Sequence, residues 1–213
     1  MAKPQAVDIQ QEVLSEGIDI MMIMDTSGSM AAEDLKPNRL EVAKKTMNAF
    51  IQKRITDRIG LVVFGSDAYT QAPLSNDYDI IGQLFDDIEL SMAGDGTAIG
   101  MAIATGLNRF KSSQADSKVM VLLTDGENNS GEIDPVRAAE LARDIEVKIY
   151  TIGVGQEGGA KVPFMHPVFG KMYYDQLTYL DEDTLKTIAH TTGGDYFRAT
   201  DQTQLESIYE TID

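Results

Sequence analysis

The chain contains no cysteine. Disulfides, thiolate metal centres and a cysteine nucleophile are therefore excluded, and the absence fits a reducing cytosol and a bacterial periplasm equally well. It has no run of roughly 18 apolar residues, the length a membrane-spanning helix requires. The opening stretch MAKPQAVDIQQEV is polar and is not a signal peptide. The sequence as it stands is expected not to cross a membrane. Basic charge is scarce: 18 Lys and Arg stand against 34 Asp and Glu, for a net charge of −16. Such a surface repels phosphate backbones and argues against nucleic-acid binding, while suiting a solvated exterior or one that draws cations and basic partners. The histidines, His166 and His190, are isolated. Neither has a ligand-like neighbour, and His190 falls near a predicted helix end, where a cation favours the helix dipole. No repeat or low-complexity tract occurs.

The chain's 213 residues, 43% of them hydrophobic, suffice for one domain with a substantial core. A polar lead over 1–16 precedes it, and the domain is expected over 17–213. Short apolar runs alternate with amphipathic stretches. Strands are predicted at 19–24 (DIMMIM), 58–65, 67–72, 118–124, 147–154 and 195–199. Helices are predicted at 39–54, 77–90, 97–110, 135–146, 181–191 and from Asp201 to Ile212. In the first helix Leu40, Ala43, Met47, Phe50 and Ile51 share a face, with basic residues expected opposite. In the second, Ile80, Ile81, Leu84, Phe85 and Ile88 are expected to lie together. The alternation predicts an α/β fold: a doubly wound, mostly parallel sheet with helices on both faces and one antiparallel edge strand at 67–72. Residues 155–178 break the pattern and read as a β-hairpin or lid-like insertion. Its Phe164, Met165, Phe169, Tyr173 and Tyr174 are expected either to pack the insertion onto the domain or to form a partner patch.

Right-handed crossovers place the strand-to-helix turns at one edge of the sheet, where ligands bind in folds of this kind. Three oxygen-rich loops fall there: Asp25-Thr26-Ser27-Gly28-Ser29, Gly94-Asp95-Gly96-Thr97 and Thr124-Asp125-Gly126-Glu127. Two carboxylates and three hydroxyls, completed by water, suit Mg2+ or Mn2+, which favour hard oxygen ligands. Alone, Asp25 reads equally well as a helix N-cap. Together with the other two loops it reads as a metal ligand.

At these residues the chain resembles the von Willebrand factor A (VWA) family. Asp25-x-Ser27-x-Ser29 with Thr97 and Asp125 is similar to that family's metal-ion-dependent adhesion site (MIDAS), with no position substituted. PNRLEVAKK, DRIGLVVFG, DGTAIGMAIA, VLLTDGENNSGEIDP and YTIGVG resemble the bacterial aerotolerance (Bat) family, most of all its BatA-like members. The resemblance implies Mg2+ or Mn2+ held by Asp25, Ser27, Ser29, Thr97 and Asp125, with a protein partner's Asp or Glu completing the sphere. Met30, Asp95, Glu127 and Asn128 are the candidate partner-binding rim, although Asp95 reads more readily as a turn residue than as a ligand, and Glu127, Asn128 and Asn129 taken singly read more readily as polar loop. The resemblance further implies a membrane-anchored, stress-related complex with sibling VWA proteins, tetratricopeptide-repeat proteins and a MoxR-type AAA+ ATPase. The full-length protein is expected in the inner membrane with this domain periplasmic, a topology at odds with direct contact to a cytosolic ATPase. Membrane attachment is expected only through segments absent from this chain, since AKPQ resembles the tail of a family transmembrane helix.

Two rivals stand beside this non-enzymatic reading. DxSxS at a strand end loosely resembles the opening motif of Mg2+-dependent phosphotransferases, but those carry a second Asp two positions on, where this chain has Ser27. A cell-surface adhesin is the third, since the VWA fold serves that role too.

Overall fold

The computed structural model describes residues 17–156, 158, 160–176 and 180–212. The predicted lead over 1–16 lies outside the described residues, as do parts of the predicted insertion at 157, 159 and 177–178. The elements in chain order are β1 (Asp19–Asp25), α1 (Arg39–Ile51), β2 (Arg58–Phe64), β3 (Ala68–Ser75), α2 (Tyr78–Asp86), α3 (Ile99–Phe110), β4 (Lys118–Thr124), α4 (Pro135–Asp144), β5 (Val147–Val154), β6 (Ala160–His166), β7 (Gly170–Gln176), α5 (Glu182–Thr192), β8 (Tyr196–Ala199) and α6 (Gln202–Ile212), with a short 3-10 turn at Gly28–Ala31 after β1.

The main sheet has six strands in the order β3-β2-β1-β4-β5-β8. The β1–β2, β1–β4, β4–β5 and β5–β8 pairs are parallel, and only β2–β3 is antiparallel. The edge strand β3 has two register shifts against β2 and carries Pro73. Proline is tolerated at an edge because its missing N–H faces no partner strand.

The central strands carry near-continuous apolar runs, Ile20–Met24 in β1 and Val119–Leu123 in β4, because both faces are covered. Successive β1 side chains point to opposite faces. Ile20, Met22 and Met24 join a core with α1, α2 and α6. Met21 and Ile23 join a second core with α3, α4 and α5. The helix starts follow side-chain capping of orphan N–H groups. Asn38, Asp77, Asp134 and Asp181 accept from Glu41, Ile80, Arg137 and Thr184 N–H respectively.

The α/β class, the parallel sheet, the antiparallel edge strand and the hairpin match the sequence expectations. Two details differ. The second helix stops at Asp86 rather than Leu90, because the Lys44 ammonium takes the carbonyls of Asp86 and Ile88 at 2.8 and 2.9 Å and ends the turn there. Ile80, expected on the apolar face, is 53% exposed. Nor are the basic residues of α1 all opposite its apolar face, since Arg39 and Lys44 are both buried.

Candidate functional site

Asp25 ends β1 and Asp125 follows the last residue of β4. These strands are parallel neighbours in register, Met24 opposite Leu123, so the two carboxylates emerge side by side at the C-terminal rim of the sheet. Both are completely buried. Asp25 Oδ1 accepts from Ser27 N–H at 2.8 Å, and its Oδ2 accepts from the Thr124 hydroxyl at 2.5 Å. The chain then enters the 3-10 turn, which brings Ser27 Oγ and Ser29 Oγ within 3.0 Å of each other. The Ser29 hydroxyl donates to Asp125 Oδ1 at 2.6 Å. Every second residue after Asp25 therefore faces one point, so the DxSxS spacing produces convergence.

Thr97 reaches the same place from the loop before α3. Its hydroxyl oxygen would lie 3.2 Å from a Cβ built on Gly126, the residue after Asp125. Its backbone pairs reciprocally with Asn129: Thr97 N–H donates to Asn129 Oδ1 at 2.9 Å and Asn129 N–H to Thr97 O at 3.1 Å. Gly96, at φ 151°, makes the approach possible, for a Cβ there would meet Ser130 Oγ at 2.5 Å. Asp25, Ser27, Ser29 and Asp125 thus meet in one cluster, with Thr97 against Gly126 at its side.

The proposed rim divides. Glu127 and Asp95 are exposed. Asp95 Oδ1 also accepts from Gly28 N–H at 3.2 Å, tying its loop to the serine turn. Asn128 Oδ1 accepts from Ile99 N–H at 2.8 Å, so it caps α3, whose own N-cap residue Ala98 offers no side-chain bond. Met30 cannot serve at a rim in this fold: it is fully buried in the core beneath the turn, where its apolar side chain is removed from water.

Arg39 and Asp34 were not anticipated, and Thr124, placed in one of the three oxygen-rich loops, was given no role of its own. Arg39 is wholly buried, its Nη1 donating to Asp125 Oδ2 at 2.7 Å and its Nε and Nη2 to the two oxygens of Asp34 at 2.9 and 2.7 Å. One signal was available. The apolar stripe of α1, read back from Met47 and Ala43 in steps of four, lands on Arg39.

Burial pushes the Asp25 carboxyl from the ordinary 3.8 up to about 7, with the nearby Asp125 charge adding to the rise and the Ser27 and Thr124 hydrogen bonds opposing it. Burial raises Asp125 as well, against the pull of Arg39 and Ser29. Burial disfavours charge on Asp34 and Arg39 too, but their mutual pairing prevails: Asp34 is held below its usual value and Arg39 above. Asp34 and Asp125 thus share one guanidinium, and Asp25 beside them forms no ion pair among the described residues. A site with surplus negative charge and converging hydroxyls fits a hard divalent cation. Among the described residues no three His, Cys, Asp or Glu side chains form a metal cluster, so a cation here depends on the hydroxyls.

The family model described as von Willebrand factor type A domain matches residues 19–211. The chain belongs to the VWA family. Among solved VWA structures it is similar to BatB from Bacteroides thetaiotaomicron, at 30% identity and a TM-score of 0.82, covering 92% of this chain and 97% of that one. It is likewise similar to an aerotolerance-related membrane protein from Bacteroides fragilis, at 31% identity and a TM-score of 0.81, covering 92% and 96%. Proximal thread matrix protein 1 from the mussel byssus, solved with zinc in its MIDAS motif, shares 25% identity at a TM-score of 0.71 over 92% of this chain and 45% of its own. An uncharacterized protein of Borreliella burgdorferi is 37% identical over 190 residues, 88% of this VWA chain, which spans only 55% of that protein's length. Among the described residues no helix is long and apolar enough to cross a membrane.

Proposed function

We propose that this VWA domain is a divalent-cation-dependent protein-interaction module of a BatA-like, membrane-anchored envelope complex. The observation that carries the proposal is the joining of Asp25, Ser27, Ser29 and Asp125 by hydrogen bonds, with Thr97 beside them. Asp25, Ser27, Ser29, Thr97 and Asp125 are the residues that would hold Mg2+ or Mn2+. The cation would supply an electrophilic centre for a partner's Asp or Glu, since hydroxyl ligands leave more of its charge uncompensated than carboxylates do. Ser27 and Ser29 present their oxygens together. Thr124 and the Ser27 N–H orient Asp25, and Arg39 orients Asp125. Exposed Glu127 and Asp95 border the opening and disfavour an acidic partner that lacks a cation to bind.

Sibling VWA proteins, tetratricopeptide-repeat proteins and a MoxR-type AAA+ ATPase are the proposed partners, and the inner membrane with a periplasmic domain is the proposed location. The likeness to the aerotolerance-related membrane protein of B. fragilis supports both attachment and the aerotolerance setting, and the likeness to BatB supports a Bat-type protein. The phosphotransferase reading is disfavoured because Asp25 is fully buried with both oxygens engaged, which leaves it poorly placed to act as a nucleophile. The decisive experiment is capture of partners from bacterial membranes on the immobilised domain, with Mg2+ or with chelator. Capture is expected to require the cation and to be lost in Asp25→Ala. Equal capture in chelator would place binding elsewhere on the domain, and Mg2+-dependent phosphatase turnover lost in Asp25→Ala would make the protein an enzyme.

A further inference from the structure

The guanidinium of Arg39 faces two ways. One side holds Asp125 Oδ2 at 2.7 Å, and the other grips both oxygens of Asp34 at 2.9 and 2.7 Å. A planar fork of this kind fixes the relative positions of its partners in a way an ammonium does not. Asp34 Oδ2 also accepts the Gln156 N–H at 2.8 Å, at the root of the β6–β7 hairpin. Gly155 lies so close that a Cβ there would meet Arg39 Nη2 at 2.4 Å.

Glu33, beside Asp34, holds the hairpin along its length. Its N–H donates to Lys161 O at 3.2 Å, and its carboxylate takes the Lys171 ammonium at 2.6 Å and the Tyr173 hydroxyl at 3.2 Å. Apolar contact is modest, with Ala160 and Val162 against Ala31 and Ala32. A cleft of about 310 Å³ lies between the hairpin and the 33–36 segment, bordered by Glu33, Lys161 and Tyr173. Of the five apolar residues expected either to pack the insertion onto the domain or to form a partner patch, Met165 and Phe169 are 76% and 73% exposed and do not pack, whereas Phe164, Tyr173 and Tyr174 are about half buried. The hairpin rests on the domain largely through polar ties to residues 33 and 34, which Arg39 fastens to Asp125.

We infer that Arg39 is a positioning residue that couples cation binding at Asp125 to the seating of the β6–β7 hairpin. The inference rests on the cation-site reading above. The Asp125 carboxylate is shared between the Ser29 hydroxyl and Arg39. Positive charge on the Ser29 side draws on the same carboxylate and weakens its hold on the guanidinium. The fork is left more fully committed to Asp34, which fastens the 33–34 segment and with it the hairpin.

The test is hydrogen exchange of residues 160–176 in the full chain with and without Mn2+, with bound Mn2+ counted in parallel by electron paramagnetic resonance. Mn2+ is expected to slow exchange there by about fivefold, the low end of ordinary coupling between sites. In Asp34→Asn, which keeps the shape and removes the charge, Mn2+ still binds while the slowing falls below about twofold. Glu33→Ala is a second, milder variant that removes the carboxylate ties to Lys171 and Tyr173 and leaves the Arg39–Asp125 pair untouched, with the same expectation. A merely structural Arg39 network predicts lower melting temperatures in both variants with the Mn2+-dependent slowing intact. The proposal is overturned if Mn2+ binds the wild type without changing hairpin exchange, or slows it equally in all three proteins. Failure of the wild type to bind Mn2+ removes the cation site itself and the coupling with it, and the resonance titration reveals that before any exchange is measured.

Discussion

Arg39 Nη1 donates to Asp125 Oδ2 at 2.7 Å across 86 positions of sequence, and neither side chain is more than 1% exposed. This pair joins the first turn of α1 to the end of β4 and makes the candidate site part of the core. Removing one member of a buried pair leaves an uncompensated charge, at a cost of roughly 3–5 kcal/mol. Arg39→Met is therefore expected to lower unfolding free energy by about that amount, read from urea denaturation in chelator. A loss below about 1 kcal/mol would mean that Asp125 and Asp34 find other partners.

The acid–base behaviour of Asp25 gives a second expectation. Its folded-state value of about 7 lies above the ordinary 3.8, so the folded protein binds the proton more tightly than the unfolded chain. The resulting stabilisation is present at low pH and is lost as pH rises through about 7. In chelator, wild type is expected to melt at a higher temperature near pH 5 than near pH 8, with other carboxylates superimposing their own trends, and Asp25→Asn is expected to flatten the difference. A difference that persists unchanged in Asp25→Asn assigns the effect to another group.

Cation binding itself is checked by melting. A ligand that binds only the folded state stabilises by mass action, about 2.7 kcal/mol at a hundred times its dissociation constant. Mg2+ or Mn2+ should raise the melting temperature of wild type, while Ser27→Ala and Thr97→Val fold and lose most of the rise. An equal rise in both variants would move the ion away from these hydroxyls.

Gly155 has φ 116° and no room for a side chain against Arg39. Gly155→Ala combines backbone strain with a clash and should destabilise by about 1–3 kcal/mol, measured as a shift in the urea midpoint. A neutral result would show that the 155–156 segment relaxes freely.

Val168 and Phe169, at the hairpin tip, are 78% and 73% exposed. Val168→Ser with Phe169→Ser should change stability by no more than about 0.5 kcal/mol, the usual range for surface positions away from special contacts. A large loss in thermal melts would show that the tip supports the fold.

The sheet was legible because its central strands are short apolar runs, and Asp134-Pro135 and Asp181 announce helix starts in their chemistry. The five cluster residues were legible because their types and loop positions match a known motif. What escaped the sequence was long-range and electrostatic. Arg39 looks like an exposed base at the start of a helix until Asp34 and Asp125 are placed on either side of it. Met30 follows the serine turn in sequence, so it looked like rim, but the 3-10 turn rotates it inward. Ile80 shows the limit of periodicity in a short helix, where one apolar residue beyond the stripe faces water.

The borders of the main sheet have a consequence for crowding. β3 is broken by two register shifts and a proline, and β8 is only four residues long. Neither offers the long, straight, unpaired backbone that another chain needs to extend a sheet. At high local density, copies of this domain are thereby discouraged from zipping together along the borders of the main sheet.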